Sequence, residues 1–420
     1  MKIRSRLFMA WRYLVSPAPE GSRYLRGAAL GIAISMIPII VTLIVADGMI
    51  QGITNRYLEL GSGHLQIYDY RAGHDDDSFI EIIQQTKGVR SVYPEAQSLG
   101  ILVGKNGKYG ANLRAVSQAF FTDSQSLQYL QVLEGSLGFD GNRSCILGNR
   151  LAKQLGISAG DTVRLMTMRT SLDGTMMPRI TSLKVQGVVS SGYAELDGLW
   201  CFIPWELGNL VFPIDARRFL MIKIEYPYTQ LEDMQQILQE RIGDLSGIYT
   251  WKELQATQFK SFESTRQMLI FIMALIVCIA AVNVSAAISM LVVERRREIA
   301  ILRASGASAA DIRGIFVYAA FVTAALGSSS GIAFGLIIGY TINEILHGLE
   351  TILSWIARLF QAEPVVLLNP AYYLERIPVV IDWSSVGAVL LVTIIGAVIV
   401  SIKTAWRAST LLPVEIIQKY

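Results

Sequence analysis

Residues able to do chemistry are few in this chain, and their spacing argues against a catalytic centre. Three histidines, His64, His74 and His347, are scattered, and three cysteines, Cys145, Cys201 and Cys278, form no C-x-x-C pair. A zinc site needs several such ligands at close spacing, so no metal set and no catalytic residue is assigned. The sequence has no G-x-x-x-x-G-K-[ST] loop, the element that cradles nucleotide phosphates through backbone N–H groups. Any work the chain performs must therefore draw on energy released by another polypeptide. Cys278 sits inside an apolar run, whereas Cys145 and Cys201 lie in a more polar region. Those two can pair only if the fold brings them together; otherwise they are small buried side chains.

One segment does concentrate reactive groups: Glu294, Arg295, Arg296, Arg297 and Glu298, then Ile299-Ala300-Ile301-Leu302, Arg303, Ala304-Ser305-Gly306-Ala307 and Ser308. As a helix it sets Ile299 and Leu302 on one face among charges and stops near Gly306. Ser308, with Asp311 three residues later, is a capping-box signature that opens the next helix. The pattern predicts a short amphipathic helix at a membrane surface. It can float its charges among headgroups or present them to a partner.

The elements that would position this segment follow from composition. Of 420 residues 52% are hydrophobic and only 17% charged, with a mean hydropathy of +0.41, well above that of an ordinary soluble domain. A formal net charge of +3 is too small to suggest nucleic acid as a partner. A hydrocarbon core about 30 Å thick needs about 20 mostly apolar residues in helix. Four runs meet that need, at 27–46, 268–293, 315–342 and 386–402. The first is longer than a signal-peptide core and reads as a true span.

Short loops rich in Lys and Arg stay on the cytoplasmic side. Lys2, Arg4, Arg6, Arg12, Arg23 and Arg26 precede the first span, Arg295–Arg297, Arg303 and Arg313 link the second and third, and Lys403, Arg407 and Lys419 follow the fourth. The expected layout has both termini in the cytoplasm: an N-terminal segment at 1–26, spans at 27–50, 266–293, 312–343 and 383–404, and a tail at 405–420. Between the first two spans lies an outer domain at 51–265; a coupling helix occupies 294–311 and an outer loop 344–382. The outer domain carries 20 Lys and Arg against 23 Asp and Glu, so the positive excess lies in the rest of the chain. Alternation at 64–68, 184–189 and 220–224 predicts strands, and Leu231, Met234, Ile237, Leu238 and Ile242 recur at helical spacing. Asp173-Gly174 between 163–168 and 180–185 predicts a hairpin with a long tip bearing Met and Arg. The fold class expected is thus an α-helical membrane protein of four transmembrane helices with a large mixed α+β domain inserted between helices 1 and 2. Gly27, Gly31 and Ser35 in the first span, and Gly327, Gly331, Gly335 and Gly339 in the third, recur every four residues, which lets helix backbones approach closely. Packing within the chain is the favoured reading of that pattern, and an interface with another subunit the other.

The stretch at 294–308 resembles the coupling segment of the FtsX/MacB-type ABC permeases and, within that superfamily, of the lipoprotein-releasing permeases of the LolC and LolE type. Gly61-Ser62-Gly63-His64-Leu65-Gln66-Ile67, the runs at 147–156 and 160–163, Val188-Val189-Ser190-Ser191-Gly192-Tyr193-Ala194-Glu195-Leu196-Asp197 and Leu412-Pro413-Val414-Glu415 agree in order. The resemblance implies a non-catalytic inner-membrane subunit that takes acylated lipoproteins from the membrane lipids and passes them to a periplasmic carrier. It would work with a second permease subunit, like or sister, and a cytoplasmic ABC ATPase dimer. The chain itself would hold no cofactor; ATP and Mg act through the ATPase. Carried over by position, Glu294, Arg295, Arg296, Arg297, Glu298, Ile299, Leu302, Arg303 and Gly306 would couple to the ATPase, with Ile299 and Leu302 as the apolar key. Arg169, Met177, Pro178 and Arg179 would form the carrier-docking hairpin. Acyl chains would lie against Met36, Ile40 and Ile44 of the first span and Met268, Ile272 and Leu275 of the second. Two related readings are a MacB-type exporter of peptides or drugs and an FtsX-type regulator of cell-wall hydrolases.

Overall fold

The computed structural model describes residues 21–69, 77–170, 176–213, 216–243, 246–359, 374 and 376–409. The expected N-terminal segment up to residue 20, the hairpin tip at Asp173-Gly174, and the motif at 412–415 lie outside them. The chain divides into two compact units. One comprises residues 1–48, 262–351 and 378–420; the other comprises 49–261 and 352–377.

The first unit is helical. Its elements are α1 (Gly21–Arg56), α2 (Ala256–Glu294), α3 (Arg296–Ala304), α4 (Ala309–Tyr340), α5 (Ile342–Leu359) and α6 (Trp383–Ser409), of which α1, α2 and α5 extend into the second unit. Four of them, α1, α2, α4 and α6, are long and apolar enough to cross a membrane. α1, α2 and α6 overrun the predicted spans, α1 running unbroken through Pro38, while α4 starts before its predicted span and ends at Tyr340, short of 343. The link expected as an outer loop at 344–382 holds a helix of 18 residues, α5, and in that respect the expectation is corrected.

The glycine repeat of α4 is an intramolecular seam. A Cβ on Gly331 would lie 2.6 Å from the Ala33 carbonyl oxygen and from Met36 Cβ; one on Gly335 would lie 2.8 Å from Ile40 Cβ; one on Gly339 would lie 2.5 Å from Ile44 Cδ1. Hydrogen in place of a side chain lets α1 and α4 touch backbone to backbone. Gly27 and Gly31 of α1 face nothing within 4 Å. Gly331→Leu is therefore expected to cost about 1–3 kcal/mol by overpacking, read as a lower unfolding temperature of the purified protein, while Gly31→Leu should leave it unchanged.

The second unit is a ten-stranded mixed sheet with short helices. In chain order the strands are β1 (Leu65–Asp69), β2 (Val89–Val103), β3 (Lys108–Val116), β4 (Gln131–Gly135), β5 (Ser144–Gly148), β6 (Thr162–Thr170), β7 (Met176–Ser190), β8 (Trp200–Pro204), β9 (Arg217–Ile224) and β10 (Ser246–Thr250). The spatial order is β10-β1-β9-β2-β3-β8-β5-β7-β4, and β6 pairs with β2 and β7. Two cores form on this frame. One gathers Leu65, Ile67, Leu220 and Ile222 with Leu231, Met234 and Leu238 of the helix Leu231–Ile242. The other gathers Leu102, Leu113, Leu147, Leu165, Val185 and Ile203. The predicted hairpin is present: Val163 stands opposite Leu183 and Met168 opposite Pro178.

Candidate functional site

Two groups of residues have chemistry to explain, the stub between α2 and α4 and the outer end of α1. The stub is defined by its caps. α3 ends in a Schellman motif: Ala307 N donates to Leu302 O at 3.0 Å and Gly306 N to Arg303 O at 3.1 Å, with Gly306 at φ +91, a conformation that glycine adopts without strain. Ser308 then caps α4; Asp311 N donates to its Oγ at 3.2 Å, and Asp311 Oδ2 accepts from Ser308 N at 3.1 Å. Both turns hold the nine-residue helix α3 tightly between two spans.

Its two faces are not those expected. Ile299 and Ala300 are buried, and Ile299 joins the core with Leu291, Ile312, Ile315 and Ala405 while Leu302 packs against that core. The apolar key assigned from resemblance thus faces the chain's own spans. The outward face is instead Arg297, Ile301, Ala304 and Ser305, spaced as one stripe, with Arg296 and Gly306 beside it; Ile301 is 58% exposed. Arg295 is half-buried in an ion pair with Glu298 one turn on, and Glu294 and Arg303 are half-buried.

The two halves of the expected acyl-chain surface separate as well. Met36, Ile40 and Ile44 are buried against the α4 glycines, whereas Met268, Ile272 and Leu275 stand exposed on α2. A lipid-facing set on α1 cannot include residues that fill the seam. Close to Met268 and Ile44 in the chain, Arg266 of α2 reaches Asp47 of α1 at 3.5 Å and Asp382, next to α6, at 3.8 Å. One guanidinium ties α1 and α2 to the start of α6.

The hairpin strands place Arg169 opposite Met177, whose side chains lie outside the described residues. Pro178 is exposed; Arg179 donates from Nη1 to Leu210 O at 2.7 Å and lines a shallow cavity of about 350 Å³ with Asn142, Arg143, Ile180 and Leu210. Cys145 and Cys201 lie on adjacent strands, both free and buried. The neighbouring Cys201 thiol and burial push the Cys145 thiol well up.

The outer end of α1 is clamped by charges that sequence reasoning missed. After Arg56 the chain forms a π-helical turn, Tyr57–Ser62, then leaves through Gly63 at φ +68 into β1. Arg56 Nε donates to Ser191 O at 2.5 Å. Glu59 receives Arg90 Nη2 at 2.7 Å and has Lys223 Nζ at 3.4 Å and His64 Nε2 at 3.4 Å. Lys223 Nζ also lies 2.8 Å from Asp123 Oδ2. Buried Arg114 forks onto buried Glu95 at 2.6 and 2.8 Å and donates to the carbonyls of Leu60 and Gly61. Its guanidinium carbon stands 4.9 Å from the Trp200 ring centre and 5.0 Å from that of Phe202. A local signal existed: Lys223 sits between Ile222 and Ile224, and Arg114 between Leu113 and Ala115, positions where an unpartnered charge is costly.

This cluster sets an acid limit. Burial pushes the His64 imidazole below its usual range against the pull of Glu59, and its Nδ1 accepts Ile224 N at 2.8 Å, which fixes the proton on Nε2. Burial would raise Asp123, but the Lys223 ammonium, the Ser126 hydroxyl and Arg90 outweigh it and hold the carboxyl at about 2. For both groups the unfolded chain binds more protons in acid, so stability falls as pH falls. The His64 contribution is expected to start near pH 6.5, its unfolded value, and that of Asp123 to act from about pH 4 down to about 2. Each proton contributes at most ~1.4 kcal/mol per pH unit. Unfolding midpoints measured from pH 7.5 to 5 should drop, and His64→Gln should flatten the drop.

Residues 27–240 match the family model of the MacB-like periplasmic core domain, and residues 270–413 that of the FtsX-like permease C-terminal region. The chain is 24% identical over 390 residues to the lipoprotein-releasing system transmembrane protein LolC of Xylella fastidiosa, covering 92% of this chain and 91% of that one. It is 20% identical over 430 residues to LolE of Haemophilus influenzae, covering 98% and 99%. The macrolide export ATP-binding/permease protein MacB of Escherichia coli O157:H7 is 25% identical over 376 residues, 84% of this chain and 55% of that protein. A four-span helical unit with a mixed α+β insert between its first two spans, matched by both models, makes this chain a member of the permease family that joins a MacB-like periplasmic core domain to an FtsX-like permease region, of the LolC/LolE type.

Proposed function

We propose that the chain is the membrane subunit of an ATP-driven machine that extracts acylated lipoproteins from the inner membrane and hands them to a periplasmic carrier. The observation that carries this reading is the capped stub α3, whose Arg297, Ile301 and Ala304 stand outward while its other face is fused to the core of the spans. A push on that stub has to move α2 and α4. The motion has a receiver: the turn Tyr57–Ser62 that follows α1 is held to the sheet by Arg114, Glu95 and the Glu59 cluster. ATP and Mg belong to the partner ATPase, since no phosphate-binding loop occurs in this sequence.

Cargo is assigned by its chemistry. Acyl chains lie along the exposed α2 face, Met268, Ile272 and Leu275, and α1 and α2 separate there only if the Arg266–Asp47 contact is broken. A second permease subunit closes the other side of this path. Pro178 and Arg179, with the cavity beside them, meet the carrier. Both termini face the cytoplasm, following the basic residues that flank the spans.

The reading is tested by depleting the protein and fractionating acylated proteins between inner and outer membranes. Retention of lipoproteins in the inner membrane is expected. Unchanged sorting, with lost export of peptides or drugs instead, would move the assignment to a MacB-like exporter.

A further inference from the structure

The helix α5 is amphipathic, and its apolar surface is larger than its contacts within the chain require. Ile342 and Ala357 are buried, and Leu346 and Leu353 are half-buried; these four line one flank of the helix. Ile345, Leu349, Ile352, Ile356 and Leu359 then recur at intervals of four and three residues as a second stripe, each between 42% and 66% exposed. Trp355 stands at the edge of that stripe, also exposed. Asn343, Glu344, His347, Glu350, Ser354 and Arg358 occupy the remaining arc. The exposed stripe is therefore left over after the helix has packed, and not the face by which it packs.

Chain continuity says where this stripe is. α4 crosses the membrane and ends at Tyr340; one residue, Thr341, separates it from Ile342. The chain returns to the membrane at Trp383, the first residue of α6 and itself exposed. Both ends of the link therefore belong to one membrane surface, the side that carries the periplasmic domain. α5 cannot cross the bilayer, because Glu344, Glu350 and Arg358 are spread along it and charges at the bilayer centre are costly. A helix with one strongly apolar face, charged on the other and tethered to the end of a span, has the make-up of helices that lie in the headgroup region. An indole at the boundary of the two faces suits that level.

We propose that α5 is an interfacial helix whose stripe Ile345, Leu349, Ile352, Ile356 and Leu359 is seated in the periplasmic leaflet of the membrane. The occupant of this face is lipid. Neither the lipoprotein cargo nor a second subunit is needed to cover it, so the inference stands apart from the function proposed above. Its consequence is mechanical: the helix fixes the height of the α4–α6 link at the membrane surface.

The test uses the full-length protein in vesicles of phosphatidylethanolamine and phosphatidylglycerol. Cys278, the exposed cysteine, is replaced by Ser, and single nitroxide-labelled cysteines are placed at Leu349, Ile352 and Ile356, with His347 and Thr351 as polar-arc controls. Oxygen, enriched in lipid, and a water-soluble nickel chelate then report collision rates. The oxygen-to-nickel ratio should be higher at 349, 352 and 356 than at 347 and 351, oscillating with the helix period. Two results overturn the proposal. If nickel reaches 352 and 356 as freely as 347, the stripe lies in water; if neither reagent reaches them, protein covers it. Each labelled variant is compared with the parent in its elution profile, so a misfolded protein is recognised before it is measured.

Discussion

Arg114→Leu is expected to open the periplasmic domain under conditions in which the parent stays closed, at a cost of about 3–5 kcal/mol. The guanidinium is fully buried and satisfies Glu95 in a two-point fork, together with the carbonyls of Leu60 and Gly61. Taking it away leaves a buried carboxylate uncompensated and removes a charged donor from two backbone carbonyls, which is what makes breaking a buried pair expensive. Arg114→Lys keeps the charge but cannot reproduce the planar fork or its contact with the Trp200 ring, so it should fall between. The double variant Arg114→Leu, Glu95→Leu should recover much of the loss, because it removes both desolvation costs at once. Cys145 and Cys201 supply the readout. Both are buried in this domain, so the rate at which they react with a thiol reagent in denaturant tracks its opening. The single variant should speed that reaction by roughly two to four orders of magnitude; an unchanged rate would show that the fork does not hold the turn at 57–62.

Ile301→Asp is expected to abolish co-purification of the partner ATPase without unfolding this chain. Ile301 is exposed, and surface substitutions away from special features usually change stability by no more than about 0.5 kcal/mol. An apolar anchor at the centre of an interface is worth about 2 kcal/mol or more, roughly thirtyfold in affinity. Arg297→Glu, one turn earlier on the same stripe, should weaken binding further where the ATPase presents acidic groups. Ile299→Asp is the contrasting variant. Its side chain is in the core between the spans, so it should lower the yield of folded protein itself. Retained ATPase binding by Ile301→Asp would place the docking surface elsewhere.

These outcomes depend on details that the sequence discloses unevenly. The four apolar helices, the insert, the Ser308–Asp311 capping box, the strands around Leu65, Val185 and Leu220, and the helix Leu231–Ile242 are legible because each is set by local periodicity or by a capping pair. Direction is harder. Residues 299–302 are all apolar, so only the neighbouring helices decide that Ile299 turns inward and Ile301 outward. Met36, Ile40 and Ile44 pose the same problem, since an apolar span looks alike on every side; the partner face, the α4 glycines, lies 295 residues away in the sequence. The clamp was illegible for a related reason. A lysine between two isoleucines signals a buried charge, but Lys223 finds its acceptors at Glu59 and Asp123, and no local pattern links those positions. α5 is hidden because its charges, Glu344, Glu350 and Arg358, disqualify it as a span and leave its region reading as a link.

The central claim is that a push delivered to α3 by another polypeptide becomes movement of acylated protein on the periplasmic side. Its most direct measurement is transfer of a fluorescent acylated lipoprotein from proteoliposomes to a soluble carrier, with the chain, its permease partner and its ATPase reconstituted together and ATP hydrolysis followed in parallel. The account predicts transfer that requires ATP and the ATPase and is lost with Ile301→Asp. Transfer that proceeds without the ATPase, or hydrolysis of nucleotide by this chain alone, would contradict it.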